Sequence, residues 1–263
     1  MVASMTADQA PIDWSQLEAV LFDLDGVLTD TARLHVAAWT AAFDDFLRRR
    51  ADAAGRPFVP FDPEDDYHRY VDGKPRYDGV RDFLRSRGID LPEGTLEDPP
   101  GDGTVQALGN AKNERVHALF DTLGVDVFEG SVAFLDEVLK SGRRAAVVTS
   151  SANCDAVLSA AGLSGRFEAQ VDAHVARARS LPGKPAPDTF LAAASDLGIP
   201  AARCVVVEDA LSGVEAGRRG DFGLVIGVDR KGVAEDLRDA GADVVCSDLA
   251  ELVPGLVAAG GPS

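Results

Sequence analysis

The chain has 263 residues, 46% of them hydrophobic, enough to bury the core of one large domain or of two unequal ones. Its formal charge of −17 at pH 7 argues against nucleic acid and anionic membrane surfaces as partners, since both need clustered lysine and arginine. Cys154, Cys204 and Cys246 lie far apart with no Cys-x-x-Cys, which predicts buried, reduced thiols and not a zinc site or a disulfide framework. No apolar run approaches the roughly 18 residues of a membrane span. The polar N-terminal stretch, with Pro11, lacks the charged and apolar regions of a secretory signal, so the cytoplasm is the expected compartment.

Residues 1–18 read as a loose arm. A first strand is predicted over 19–23, where Ala-Val-Leu-Phe runs into Asp23, and Asp25-Gly26 then signals a turn. Over 34–50, Leu34, Ala37, Ala38, Ala41, Ala42 and Phe46 recur at helical spacing. Pro57, Pro60 and Pro63 make 56–66 an irregular connection. Short helices are predicted over 67–73 and 77–88, a loop over 90–104, and a helix over 110–123. No convincing strand falls within 34–125, so this stretch is expected to be an all-helical insert.

Beyond it strands and helices alternate. Helices are expected over 131–141, 157–161, 188–197 and 234–240, with another starting over 213–219. Strands are expected over 144–150, 167–171, 204–207, 224–228 and 243–246. Short β-branched runs alternating with helices mean βαβ units and a parallel sheet covered on both faces, an α/β fold. In such sheets the ligand site lies beyond the carboxyl ends of the strands. The polar residues at those ends, Asp23 with Asp25, Thr149 with Ser150, and Glu208 with Asp209, should therefore converge.

Acid, hydroxyl and acid in one crevice is a composition for metal and phosphate. In an extended segment residues i and i+2 point the same way, so Asp23 and Asp25 can face one site. Asp25-Gly26 by itself is also an ordinary turn. Asp23, directly after four apolar residues, is not explained that way. Several carboxylates around one point repel unless they share a divalent cation, and Mg²⁺, with its preference for oxygen ligands, is the natural candidate. Asp23, Asp25, Glu208 and Asp209 are the expected metal set. A carboxylate can also attack phosphorus, with a second acid protonating the leaving group, and Asp23 and Asp25 fit that division of labour. Thr149 and Ser150 can hold a phosphate or simply cap a helix, and Asn153 can add an amide donor. Lys184, in Gly-Lys-Pro-Ala-Pro, is fixed by the prolines around it and could neutralise a phosphorylated aspartate, although a lone lysine is ordinarily a surface residue.

Asp-x-Asp-Gly-Val at 23–27, Thr149-Ser150, Lys184-Pro185 and Glu208-Asp209 stand in the order of the four motifs of the haloacid dehalogenase-like phosphotransferases, which the chain resembles over nearly its whole length. The resemblance implies a Rossmann-like core, 1–33 and 126–263, with a helical cap, 34–125. Within that superfamily the run FDLDGVLTDTARLHVAAW resembles the phosphoglucomutases. This implies a phosphorylated Asp23, Asp25 as general acid/base, and Thr31 and His35 coupling cap closure to Asp25. It also implies Mg²⁺ as cofactor, a sugar phosphate as substrate and a bisphosphate as primer. The implied reaction interconverts β-glucose 1-phosphate and glucose 6-phosphate, with a sugar-phosphate phosphatase as the alternative. DGKPRYDGV resembles the cap segment whose arginine holds the distal phosphate, here Arg76. The lysine usual before that glycine is Asp72, with Lys74 two residues on as its possible substitute, and the serine usual after Glu-Asp is Ala210.

Overall fold

The computed structural model describes residues 12–262. The arm predicted over 1–18 is seen from Ile12 onward; the rest of it lies outside the described residues. Within the visible part Trp14–Gln16 forms a 3₁₀ turn capped by the Asp13 carboxylate, and Trp14 is buried. Two compact units follow from the chain's path: one is Thr31–Val125, the other is built from the residues up to Asp30 and from Asp126 onward. The change falls a few residues before the predicted 33/34 boundary, because Thr31 already caps the first long helix.

Strand β1 (Ala19–Phe22) is buried along its whole length. Next comes the helical unit, with α1 (Ala32–Ala54), a π-helical turn (Tyr67–Val71), α2 (Arg76–Ser86) and α3 (Val105–Leu123). Gly55 ends α1 with φ +58°, a left-handed cap whose N–H reaches back to Ala51 and Asp52. An aromatic core holds this unit together. Phe43 and Phe83 have ring centroids 4.1 Å apart, with Trp39, Phe46 and Phe61 buried around them. Helix α3 begins five residues before the predicted start at 110, because the Thr104 hydroxyl accepts from Ala107 N (2.9 Å) and caps it there.

The second unit continues with α4 (Glu129–Lys140), β2 (Arg144–Val148), α5 (Cys154–Ala160), β3 (Ala169–Val171), α6 (Ala173–Ala178) and α7 (Asp188–Leu197). Then come β4 (Cys204–Glu208), α8 (Leu211–Arg219), β5 (Leu224–Val228), α9 (Ala234–Asp239), β6 (Val244–Cys246) and α10 (Val253–Ala259). Helices α6 and α10 were not predicted. All six strands are parallel, in the order β3-β2-β1-β4-β5-β6. The chain builds outward on one side of β1 and then returns to its other side, so the crevice for a ligand opens at the carboxyl ends of β1 and β4. Register makes that exact in position: Phe22 pairs with Val147 on one side and Val207 on the other. The next residues, Asp23, Val148 and Glu208, therefore arrive at one level.

Apolar packing makes this end stiff. Leu21, Ala146, Val148, Val206 and Val214 share a buried cluster with Phe190, Ala193 and Leu197 of α7. Two segments are stitched together just past β1. Asp30 N donates to Asp126 O (2.9 Å) and Phe128 N to Leu28 O (3.1 Å), with Thr29 and Val127 bridged between them. At the opposite end of the sheet Arg143, only 2% exposed, donates to the carbonyls of Trp14, Leu17 and Gly260 and so fastens both ends of the described chain to the core. All three cysteines are free and buried, as the sequence predicts, and burial pushes the Cys204 and Cys246 thiols up to about 12. Among the described residues no helix is long and apolar enough to cross a membrane.

Candidate active site

Asp23 stands one residue past β1, 7% exposed, with its N–H held by Val207 O at 2.9 Å. Beside it the Lys184 ammonium, 3% exposed, donates to Asp23 Oδ1, to Glu208 Oε1 (2.6 Å) and to Val148 O (3.1 Å), and lies 4.9 Å over the Phe190 ring. Three strand ends thus meet on one lysine. Glu208, fully buried, uses its second oxygen to accept from Asp209 N (3.0 Å) and Ala210 N (3.1 Å), which shapes the turn that presents Asp209.

Asp23, Glu208 and Asp209 each bring a carboxylate oxygen within 4.8 Å of the others, all buried. Gly26 closes this pocket from the β1 side. Its φ of +92° is glycine territory, and a Cβ there would overlap the Asp209 carboxylate. Gly213 is needed in the same way, because a Cβ on it would overlap Glu208. Burial pushes the Asp23 carboxyl up to about 7, with Lys184 opposing and Asp25 and Asp209 reinforcing; burial likewise raises Glu208 to about 7, again against Lys184. Lys184 itself is raised, its two carboxylate partners outweighing its own desolvation. Clustered buried acids that resist ionisation are what a hard, oxygen-liganded divalent cation relieves, so the residues present fit Mg²⁺.

Asp25 departs from the expected set. It stands outside the group formed by Asp23, Glu208 and Asp209, and its Oδ2 faces the Thr149 hydroxyl at 3.4 Å. The reason is local: the strand ends at Phe22 and the chain turns through Asp25–Thr29, so the extended i, i+2 parity no longer governs where Asp25 points. Thr149 is buried and accepts from Ser151 N (3.0 Å), while Asn153 N donates to Ser151 Oγ (3.1 Å). Those two amides are spent inside the loop. Ser150 lies half-buried beside Thr149, and the Asn153 side chain is buried just ahead of α5.

The helical unit places its own candidates. Thr31 is fully buried before α1, and its carbonyl accepts from His35 N (3.0 Å), which puts both on one turn. His35 Nδ1 is 2.8 Å from Lys112 Nζ, and Arg76 donates to Asn113 Oδ1 at 2.6 Å. Adjacent residues of α3 therefore hold the two expected substrate-side groups of α1 and α2. Lys112 was not predicted. The one sequence cue is that Leu108, Lys112 and Val116 form an i, i+4 stripe, in which a lysine ordinarily reads as solvated; the fold leaves it only 4% exposed, against His35. Lys74, the expected substitute for the cap lysine, is engaged by Asp82 (2.7 Å) and the Arg69 carbonyl (3.3 Å), while Asp72 takes His68 (3.2 Å).

These carboxylates imply a stability signature. Asp23 and Glu208 carry pKa values raised above their ordinary 3.8 and 4.5 to about 7, so the folded protein binds protons more tightly than the unfolded chain between those limits. Stability from this source is full below about pH 4 and is lost as pH rises through about 7. Thermal melts in a chelator from pH 4.5 to 8 should show a falling melting temperature, and saturating Mg²⁺ should restore it at pH 8.

A parallel α/β sheet whose first strand ends in Asp-x-Asp, whose fourth ends in Glu-Asp, and whose Lys184 joins the two defines a phosphotransferase of the haloacid dehalogenase-like type. The chain belongs to that family: its sequence profile, haloacid dehalogenase-like hydrolase, matches residues 17–221. Among known proteins the chain is 52% identical to the beta-phosphoglucomutase of Mycobacterium tuberculosis over 241 residues, 90% of this chain and 92% of that one. Its structure is similar to the beta-phosphoglucomutase of Clostridium difficile, with TM-score 0.70 and 25% identity over 90% of this chain and 93% of that one. It is also similar to a mutant CbbY from Rhodobacter sphaeroides solved with xylulose-1,5-bisphosphate, with TM-score 0.67 and 25% identity over 91% and 99% of the two chains.

Proposed function

We propose that the protein is a Mg²⁺-dependent β-phosphoglucomutase of the cytoplasm, interconverting β-D-glucose 1-phosphate and D-glucose 6-phosphate through a phosphorylated Asp23 and a glucose 1,6-bisphosphate. One observation carries this reading: a buried Asp23 carboxylate gripped by Lys184 at the switch point of the sheet, with Asp25 two residues on and facing Thr149. The 52% identity to a beta-phosphoglucomutase over nine-tenths of the chain supports the choice of reaction.

Asp23 attacks phosphorus, and Lys184 fixes the orientation of the carboxylate and then offsets charge on the transferred group. Asp25 gives its proton to the leaving hydroxyl and later takes one from the acceptor, and the Thr149 hydroxyl steadies it. Ser150 offers its hydroxyl to the phosphoryl oxygens, and Thr149 offers its single proton there when it is not donated to Asp25. A divalent cation held by Asp23 and Asp209 would supply charge neutralisation between the attacking carboxylate and the phosphoryl group. Glu208 serves the site indirectly, since both of its oxygens are committed to Lys184 and to the Asp209 turn. Arg76, oriented by the neutral Asn113 amide, would grip the phosphate that is not being transferred, and the Lys112–His35 pair would position the sugar side.

Purified protein with Mg²⁺ and a bisphosphate primer should convert β-glucose 1-phosphate to glucose 6-phosphate, followed by ³¹P NMR. Release of inorganic phosphate without glucose 6-phosphate would sink the mutase reading and leave a sugar-phosphate phosphatase. Arg76→Ala should lower mutase kcat/KM by about 30-fold or more, roughly the 2 kcal/mol of a lost charged hydrogen bond, while sparing phosphate release.

A further inference from the structure

The loop after β5 carries two cations that neither the motifs nor the proposed reaction uses, and one of them reaches the carboxylate cluster. Asp229 freezes this loop: its Oδ1 accepts from the backbone N–H groups of Lys231 (3.1 Å), Gly232 (2.7 Å) and Val233 (2.9 Å). Arg230 is locked on one side, donating to Gly26 O (3.2 Å), Ser247 O (3.0 Å) and Ser131 Oγ (3.1 Å), and stacking 3.7 Å over the Phe128 ring. With its neighbour pinned, Lys231 is directed the other way, and its Nζ lies 3.4 Å from Asp209 Oδ2. Gly26, on which Arg230 pulls, is the residue packed against that same Asp209 carboxylate.

Charge gives this contact its meaning. With all three ionised, Asp23, Glu208 and Asp209 exceed the ammonium groups of Lys184 and Lys231 by one negative charge, with Asp25 adding to the field at Asp23, and a divalent cation offsets that excess. The two lysines are not equivalent. Lys184 is sealed among its partners, its side chain 1% exposed, whereas the Lys231 side chain is 20% exposed and its ion pair is long for a charge-assisted hydrogen bond, normally about 2.7–2.9 Å. A partly exposed lysine on a four-carbon stem has water to withdraw into; the one sealed beside Phe190 has none.

We propose that Lys231 is a built-in counter-cation of the metal site, which holds the Asp209 carboxylate in the metal-free protein and competes with the divalent cation for it. This rests on the reading of Asp23 and Asp209 as divalent-cation ligands and adds to it: the resting charge of the site, and hence its affinity for Mg²⁺, is set by a residue outside the four motifs. The lysine keeps the cluster from flying apart when metal is scarce and weakens the metal complex when it is present.

Calorimetric titration of Mg²⁺ into the metal-free protein, comparing wild type with Lys231→Met and Lys231→Arg, tests this without any turnover. Because the ammonium is partly screened by solvent, Lys231→Met is expected to bind Mg²⁺ about tenfold more tightly, and Lys231→Arg to match wild type. Lys231→Met should also melt below wild type in chelator, with the gap closing at saturating Mg²⁺. Unchanged or weaker Mg²⁺ affinity in Lys231→Met overturns the proposal while leaving the metal site standing. A wild-type protein that binds no Mg²⁺ overturns both.

Discussion

Asp23→Asn is expected to abolish turnover, by about 10⁴-fold or more, while the protein stays folded. An amide oxygen is a poor nucleophile toward phosphorus, and the carboxylate that shares Lys184 with it, Glu208, is committed to that lysine and to the Asp209 turn. The fold should even gain under one condition. Ionised Asp23 is disfavoured by burial and by Asp25 and Asp209, so at pH 8 without metal its removal takes away a repulsion. The melting temperature of Asp23→Asn in chelator should vary less between pH 4.5 and 8 than that of wild type. A variant that loses activity by unfolding would give no support to a chemical role.

Lys184→Met carries the second large effect. The ammonium is the shared counter-charge of Asp23 and Glu208 and also satisfies Val148 O, all in a buried setting. Methionine preserves the packing against Phe190 but leaves two buried acids with no cation between them. The expected cost is about 3–5 kcal/mol in metal-free protein at pH 8, measured by urea unfolding. The sign of its pH dependence follows from the acids: at pH 5 they take up protons at less cost, so the deficit should shrink. An equal deficit at pH 5 and pH 8 would mean that Lys184 stabilises the fold by packing and not by charge. Turnover should be lost along with stability, since the aspartate would be both misoriented and uncompensated.

How much of this could be read beforehand differs between the sheet and the site. Strands such as Ala19–Phe22 and Cys204–Glu208 announce themselves, because a parallel strand buried on both faces must be a continuous apolar run and must end where a carboxylate appears. The convergence of Asp23, Lys184 and Glu208 followed from that rule and from the motif order. The position of Asp25 did not. Strand parity does not reach it, because the chain already bends at Leu24, and Asp25 lies toward Thr149 and not in the group with Glu208 and Asp209. Lys112 and Arg143 were missed for a different reason. Each is a long basic side chain that sequence reading assigns to solvent, and each is buried by partners distant along the chain: His35 for Lys112, and Trp14, Leu17 and Gly260 for Arg143. Lys74 shows the converse. Spacing offered it as a substrate lysine, and only the fold shows Asp82 within 2.7 Å of it.

The boundary errors also have causes. Helix α3 starts ahead of its expected position because Thr104, at the end of the Pro- and Gly-rich stretch, caps it. Helix α5 spans Cys154–Ala160, opening three residues ahead of the expected 157–161, directly after Asn153 at its N-cap position. In neither case does the shift move a residue out of the site.

The account turns on a covalent phosphoryl group at Asp23. Incubation with glucose 1,6-bisphosphate and Mg²⁺, rapid denaturation in acid and peptide mass spectrometry should find one phosphoryl group, on the peptide that holds Asp23. The same peptide from Asp23→Asn should carry none. A wild-type protein that turns over sugar phosphates with Asp23 unmodified, or with the phosphoryl group on another residue, would contradict the mechanism.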